Sequence, residues 1–132
     1  MTHEHTVLII EDDVVIVPWF QDILQYAFET VVADTLALAR RTLSERHISA
    51  ILMDLVLPNG EGKGLVETFC QEFPDVPIVC ISAYNYTAEE LIASGAHDFI
   101  KKPGTEREIL DKITNTIARH KAQQRIQALL VH

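Results

Sequence analysis

Five short apolar runs rich in β-branched residues recur along the chain, and they constrain its fold more than any other feature of the sequence. The apolar residues of these runs do not alternate with polar ones, which is typical of parallel strands that are covered by helices on both faces. The sequence therefore predicts a parallel sheet. Its predicted strands are residues 7–10, 30–33, 50–53, 78–81 and 98–100.

The stretches between these runs have the apolar period of amphipathic helices. Pro18 lies in the first of them, and because proline is tolerated only near a helix start, that helix is expected to begin just before it. Five successive β-α units predict a doubly wound α/β domain with ligands at the carboxyl ends of its strands. The predicted helices are residues 14–27, 36–46, 64–73, 88–94 and a last one from 106 onward.

Size and charge limit the classes of function that the chain can serve. Its 132 residues suffice for one domain, and a content of 48% hydrophobic and 23% charged residues is ordinary for a globular protein. The net charge of −8 disfavours binding to nucleic acid or to an anionic membrane. The sequence has no membrane span or leader, and Cys70 and Cys80 lack metal-ligand spacing, so we expect a cytoplasmic protein.

The last predicted helix continues beyond the apolar stripe that would pack it onto the sheet. A more polar stretch follows this stripe, and an apolar edge then resumes at Ile126, Leu129 and Leu130. We therefore divide the chain into a domain at residues 1–120 and a helical extension or linker at 121–132. Two interpretations of the extension stay open, namely a frayed tail and a coiled linker or dimer contact.

Acidic residues follow two of the predicted strands at the points where these strands end. Glu11, Asp12 and Asp13 come directly after the first strand, and Asp54 comes directly after the third. At least three carboxylates should therefore converge at one edge of the sheet, where Mg²⁺ suits an oxygen-only site and would draw in a phosphoryl group. For Asp13 the preferred interpretation is a stabilised helix N-terminus.

Motifs at the ends of the first, third, fourth and fifth strands resemble those of response-regulator receiver domains, the CheY-like switches of two-component signal transduction. They come in the family's order, and the resemblance extends from Val7 to about Ile117. It implies a flavodoxin-like sheet of strand order 2-1-3-4-5, to which the apolar pattern of this sequence adds an extended C-terminal helix. The matching segments are Val7-Leu8-Ile9-Ile10-Glu11-Asp12, Met53-Asp54-Leu55-Val56-Leu57-Pro58 with Gly62, Ile81-Ser82-Ala83, and Phe99-Ile100-Lys101-Lys102-Pro103.

The resemblance implies a phosphorylation switch. A sensor histidine kinase or a phosphotransfer protein would donate a phosphoryl group to Asp54 in a reaction that needs Mg²⁺, for which Mn²⁺ could substitute. The domain would not be an enzyme in the usual sense, since it would catalyse only its own phosphorylation and dephosphorylation. It would then change its output face, formed by the fourth helix, fifth strand and fifth helix, for an effector domain or protein. That face or the C-terminal helix could also support a homodimer.

The same resemblance implies the residues that hold the metal. Asp12 would contact it directly and Glu11 mainly through water, while Asp54 and the main-chain carbonyl of Val56 would complete the protein ligands. Lys102 would pair with Asp54 before phosphorylation and with a phosphoryl oxygen afterwards.

The resemblance also implies the residues that change conformation. Ser82 would move to hydrogen-bond the phosphoryl group, beside Ala83, and Phe99 would turn inward, although plain core packing explains this aromatic equally well on its chemistry alone. The Lys102–Pro103 bond resembles the family's cis peptide, which would point the lysine into the site.

Two positions depart from the side chains that admit hydrolytic water in many relatives. Val56 has no polar group that could orient water, and Tyr84 is bulky. We therefore hypothesise slow self-dephosphorylation, which a phosphoryl half-life shorter than that of a Val56→Asn variant would contradict.

Other classes of protein fit the sequence less well. A flavodoxin-like cofactor binder needs a Ser/Thr/Gly-rich phosphate loop where this chain has three acidic residues. A haloacid-dehalogenase-like phosphatase carries its aspartate nucleophile after the first strand rather than the third. The remaining alternative is a phosphorylation-independent interaction module on the receiver fold, which phosphate-dependent behaviour would distinguish.

Overall fold

The computed structural model describes residues 3–55, 61–83 and 86–131. Within these residues five strands alternate with five helices, as the sequence predicts. The strands are β1 (Thr6–Ile10), β2 (Glu29–Ala33), β3 (Ala50–Asp54), β4 (Ile78–Ser82) and β5 (Asp98–Lys101). The helices are α1 (Ile16–Leu24), α2 (Leu36–Glu45), α3 (Glu61–Glu72), α4 (Ala88–Ala93) and α5 (Glu106–Val131).

The strands form one parallel sheet in the order β2-β1-β3-β4-β5, which confirms the predicted topology. The register aligns Asp54 of β3 with Ile81 of β4, and Ser82 of β4 with Lys101 of β5. β1 ends at Ile10, beside the end of β3. The polar residues at these strand ends therefore meet at the carboxyl edge of the sheet.

Each inner strand contributes to two hydrophobic cores, because successive side chains of a strand point to opposite faces. In β1, Leu8 and Ile10 pack into the core on the side of α2, α3 and α4, whereas Val7 and Ile9 pack into the core on the side of α1 and α5. All four side chains are buried. Burial on both faces explains why the strand sequences are continuously apolar, and it gives the carboxyl edge a rigid support.

The first helix is shorter than the sequence predicts. α1 spans Ile16–Leu24 instead of residues 14–27. It starts later because Asp13 stabilises the preceding turn, where its Oδ1 accepts the Val15 N–H at 2.8 Å. Pro18 is the third residue of the helix, close to its start as expected. Asp13 therefore stabilises the helix start, in agreement with the preferred interpretation of its sequence position.

The third helix begins earlier than the sequence predicts. α3 starts at Glu61, three residues before the predicted start at Gly64. Gly62 and Gly64 have low helix propensity, so the sequence pattern does not indicate a helix in this first turn. The earlier start brings the N-terminus of α3 close to the carboxyl edge of the sheet.

The last helix is long, and the burial of its residues changes along its length. Ile109, Ile113 and Ile117 of α5 are buried against the sheet, whereas every residue from 121 to 131 is exposed. The division of the chain into a domain and an extension stays a prediction, although exposure changes close to that point. Within the described part of the chain, no helix combines the length and the apolar character needed to cross a membrane.

Candidate functional site

A buried ion pair lies at the carboxyl edge of the sheet. Asp54 ends β3, and its Oδ2 is 2.6 Å from the Nζ of Lys102, which follows β5. The Asp54 side chain is 1% exposed and that of Lys102 is 22% exposed, so solvent reaches the pair only from the side of the lysine. The Lys102–Pro103 peptide bond is cis, as the resemblance implies.

Glu11 is the second buried carboxyl group of the site. It follows β1, is 4% exposed, and its Oε1 accepts the main-chain N–H of Asp13 at 2.9 Å. Burial, and next the neighbouring carboxyl of Asp54, raise the pKa of Glu11 to about 8. Two acidic side chains are therefore held together in a region of low dielectric, where a proton or a cation would relieve their repulsion.

One carboxylate oxygen of Glu11 and one of Asp54 lack hydrogen-bond partners among the described residues. Glu11 Oε2 and Asp54 Oδ1 are both fully buried, and neither has a hydrogen-bond partner within the described residues. A buried carboxylate oxygen without a partner is costly, so these two oxygens suit either a proton shared between Glu11 and Asp54, in keeping with the raised pKa of Glu11, or a bound cation. A hard cation bound between these two oxygens would give both of them a partner.

The donor set fits Mg²⁺ better than a transition metal. It consists of carboxylate oxygens, and Mg²⁺ is typically held by one or two carboxylates while it keeps several waters. No group of three His, Cys, Asp or Glu side chains that could hold a metal occurs among residues 3–55, 61–83 and 86–131. The buried carboxylate oxygens of Glu11 and Asp54 are donors of the kind that a hydrated Mg²⁺ ion takes. Val56, whose main-chain carbonyl is a predicted ligand, lies outside the described residues.

Asp12 differs in its placement from Glu11. It is exposed, and it lines a cavity of about 230 Å³ together with Glu11, Asp34 and Asp54. Asp12 thus lies at the solvent-exposed side of the site, and Glu11 lies at its buried side. The predicted division of roles, with Asp12 in direct contact with the metal and Glu11 acting through water, stays a prediction.

The predicted switch residues lie next to this edge. Ser82 is fully buried, and its Oγ donates a hydrogen bond to the main-chain carbonyl of Leu55 at 3.1 Å. Ala83 is exposed, and its carbonyl accepts a hydrogen bond from the Nζ of Lys101 at 3.3 Å. Phe99 is half-buried against the core on the α2–α4 side. Tyr84, the predicted lifetime determinant, lies outside the described residues.

The structure adds Tyr86, a residue that the sequence analysis does not single out. Its side chain is buried, and its hydroxyl oxygen accepts the main-chain N–H of Gly62 at 3.1 Å. The bond joins the loop after β4 to the first turn of α3. An aromatic residue just before a short helix carries no local signal of such a contact, so only the spacing of Gly62 in the family motif points to this region.

Comparison with known proteins agrees with the resemblance seen in the sequence. The sequence profile of the response regulator receiver domain matches residues 7–114. The chain is similar to the response regulator SaeR of Staphylococcus aureus, with 28% identity over 123 residues that cover 92% of this chain and 53% of SaeR. The chain thus spans about half the length of the curated relatives it matches.

Solved structures are similar in fold. NtrX from Brucella abortus aligns with a TM-score of 0.83 and 25% identity over 98% of this chain and 29% of its own. A CheY-like response regulator receiver domain protein from Methanospirillum hungatei aligns with a TM-score of 0.77 and 24% identity over 90% of this chain and 98% of its own. The second likeness supports the fold alone.

Proposed function

The chain belongs to the response regulator receiver domain family of two-component systems, and we propose that it accepts a phosphoryl group on Asp54 and transmits the change to a partner. The observation that carries this proposal is the buried pair of Asp54 and Lys102, with Glu11 beside it and two carboxylate oxygens left without partners. A carboxylate held in this way is costly for stability alone, which favours a chemical role.

The positions of these side chains support a phosphoryl transfer to Asp54. A carboxylate oxygen of Asp54 would attack the phosphorus in line, so that a new P–O bond forms while the bond to the donor's histidine nitrogen or acyl oxygen breaks. The charge on Lys102 would shift from Asp54 to the new phosphoryl oxygens. Mg²⁺, held by Asp12, Asp54, the Val56 carbonyl and, through water, Glu11, would supply positive charge for the transferred group.

Phosphorylation would then change the loop after β4. Ser82 donates to the carbonyl of Leu55 in the present arrangement, and a phosphoryl group on Asp54 offers its hydroxyl a stronger, charged acceptor nearby. Movement of Ser82 would open space toward which Phe99 could turn. The proposed output face is therefore α4, β5 and α5, since Phe99 belongs to β5, which pairs with β4 beside Ser82 and contacts both α4 and α5.

Receiver domains act with histidine kinases and effectors in general, and we propose the same two classes of partner here. The phosphodonor would be a sensor histidine kinase or a phosphotransfer protein in the cytoplasm. The target would be an effector domain or a separate protein. Nucleic-acid binding by these residues is disfavoured by the net charge of −8.

A direct test is the intact mass of the protein after incubation with acetyl phosphate and Mg²⁺. We expect one added phosphoryl group in the wild type, and none in Asp54→Asn or in a sample with EDTA. Asp75→Asn, at an exposed position in the turn between α3 and β4, is the matched control and should be modified like the wild type. No adduct in any sample, together with no binding of beryllofluoride, would favour the phosphorylation-independent module.

A further inference from the structure

Two hydrogen bonds join the loop after β3 and the start of α3 to the loop after β4. One runs from the Ser82 hydroxyl to the Leu55 carbonyl at 3.1 Å. The other runs from the Gly62 N–H to the Tyr86 hydroxyl at 3.1 Å. The first involves the proposed switch residue at the end of β4, and the second involves a residue four positions further along the chain. Both bonds therefore fix residues that flank the connection from β4 to α4, next to the proposed site of phosphorylation.

The Tyr86 side chain lies so close to Gly62 that no space is left for a side chain there. A Cβ atom placed on Gly62 would lie 2.9 Å from the Tyr86 hydroxyl oxygen and 3.3 Å from the ring carbon that bears it. Gly62 is needed here for space, since its backbone does not have a positive φ. The phenol of Tyr86 thus approaches α3 more closely than any residue with a side chain at position 62 would allow.

The hydroxyl of Tyr86 also satisfies a donor that α3 leaves open. The first N–H groups of a helix have no acceptor within the helix, and Gly62 is the second residue of α3. Gly62 and Tyr86 are both buried, so solvent is a poor substitute for the phenol oxygen. Tyr86 therefore acts as a remote cap for α3 and lies four residues after Ser82, the last residue of β4.

We propose that Tyr86 is a positioning residue that holds the loop after β4 in its resting arrangement through the Gly62 N–H, and thereby sets how readily phosphorylation switches the domain. This inference rests on the proposed phosphorylation of Asp54. The hydrogen bond between Gly62 and Tyr86 is present in the arrangement in which Ser82 donates to the Leu55 carbonyl and Lys102 pairs with Asp54. Tyr86 follows Ser82 by four residues, so we infer that movement of Ser82 toward a phosphoryl group would strain the Tyr86 bond and that this bond opposes the switched state.

The test compares Tyr86→Phe with the wild type in binding of beryllofluoride, a phosphoryl mimic, in the presence of Mg²⁺. The only tryptophan, Trp19, lines a cavity with Ala83 and Lys102 and provides a fluorescence signal, and fluorine NMR of the bound mimic provides a second reading. Loss of one hydrogen bond from the resting state should lower the dissociation constant roughly threefold to tenfold. Tyr26→Phe removes an equivalent hydroxyl at an 82% exposed site and should leave it unchanged.

A second variant tests the same contact from the other side. Gly62→Ala keeps the phenol but pushes it away from α3, so it should also tighten binding, and the double variant should bind little better than either single one. Lower stability of Tyr86→Phe without tighter binding would show a purely structural role and overturn the inference. Failure of the wild type itself to bind the mimic would instead overturn the proposed function of Asp54.

Discussion

At the scale of single residues, the site depends on one cation that faces two buried carboxyl groups. Lys102 contacts Asp54 directly, and Glu11 lies beside the pair with its pKa raised to about 8 by burial and by Asp54. Removal of the ammonium group would leave a buried carboxylate without compensation, which is a larger perturbation than the loss of an exposed charge. The energetic importance of this lysine can be separated from that of its neighbour Lys101.

We predict that Lys102→Ala lowers the free energy of unfolding by about 1–3 kcal/mol in metal-free protein at neutral pH, because Asp54 loses its paired charge in a buried site. Lys101→Ala removes the same charge from an exposed position one residue earlier, together with its hydrogen bond to the Ala83 carbonyl, and it should lower stability by less, about 0–1 kcal/mol, because solvent reaches these groups. Urea unfolding followed by circular dichroism measures both. Equal losses would show that the ion pair with Asp54 adds nothing to the fold.

The sequence is informative about which residues form this site but less so about how they are placed. Asp54, Lys102 and Glu11 stand at strand ends, and the strand periodicity suffices to bring them together. The burial of Glu11 and the exposure of Asp12 depend on side-chain directions beyond the strand end, which no local pattern encodes. The contact of Tyr86 with α3 depends on tertiary packing between two loops, and therefore it also escapes sequence reasoning.

At the scale of elements, helix ends explain where the sequence prediction succeeds and where it fails. α4 begins as predicted because Thr87 and Glu90 form a capping box, in which each side chain accepts the other's main-chain N–H, at 3.0 and 3.1 Å. The start of α3 lacks such a signal, since glycines occupy its first turn. The inner strands β1, β3 and β4 are predicted correctly because burial on both faces leaves a continuous apolar pattern.

The end of α4 depends on Gly95, which has φ +112° and packs against Cys70 of α3. We predict that Gly95→Ala lowers the free energy of unfolding by about 2–4 kcal/mol, because an added Cβ disfavours this backbone conformation and overpacks the contact. The Cβ would lie 2.8 Å from the Cys70 Sγ. Gly64→Ala should instead raise stability by about 0.5–1 kcal/mol, since helix α3 gains propensity there.

Thermal and urea unfolding of the two glycine variants measure this contrast. Nothing lies within 4 Å of a Cβ added at Gly64, so this variant reports helix propensity without a steric contribution. Adding Cys70→Ala to Gly95→Ala should recover only the part of the loss that comes from the Sγ, because the Cβ of residue 70, at 2.9 Å from the added Cβ, and the strained φ both remain. A Gly95→Ala protein as stable as the wild type would contradict the proposed packing of α4 on α3.

At the scale of the whole molecule, the two ends of the sheet are chemically distinct. The carboxyl end holds the acidic site, whereas the opposite end brings together His97, before β5, and His120 of α5, with ring centroids 5.6 Å apart. His120 also contacts the main-chain carbonyl of Asp75 at 2.8 Å. These contacts secure α5 at the point where it leaves the sheet and its residues become exposed.

We predict that hydrogen exchange divides α5 at this point. Amides near Ile113 and Ile117, which are buried on the sheet, should exchange only upon global unfolding. Amides beyond residue 121 should be protected by roughly tenfold or less, because a short helical segment without packing is marginal in water. Leu129 and Leu130 are each 76% exposed. Strong protection that increases with protein concentration would show instead that a second copy covers this segment.

The histidine end of the molecule should make its stability sensitive to acid. Burial, and next His120 and Arg119, lower the pKa of His97 from 6.5 in the folded protein. The neutral ring fits the structure, since its Nδ1 accepts the Ile78 N–H at 3.2 Å. Because the folded-state pKa lies below the unfolded one, His97 contributes stability above about pH 6.5, and this contribution is lost as the pH falls through the folded pKa.

We therefore predict that the free energy of unfolding falls less steeply below pH 6.5 in His97→Asn than in the wild type, because asparagine keeps an acceptor for the Ile78 N–H but cannot gain a proton there. His47→Asn, at an exposed histidine in the turn before β3, should retain the slope of the wild type. Urea unfolding at a series of pH values gives the slopes. If His97→Asn and the wild type lost stability in parallel, protonation of His97 would carry no difference between the folded and unfolded states, and the acid sensitivity would arise from other titratable groups.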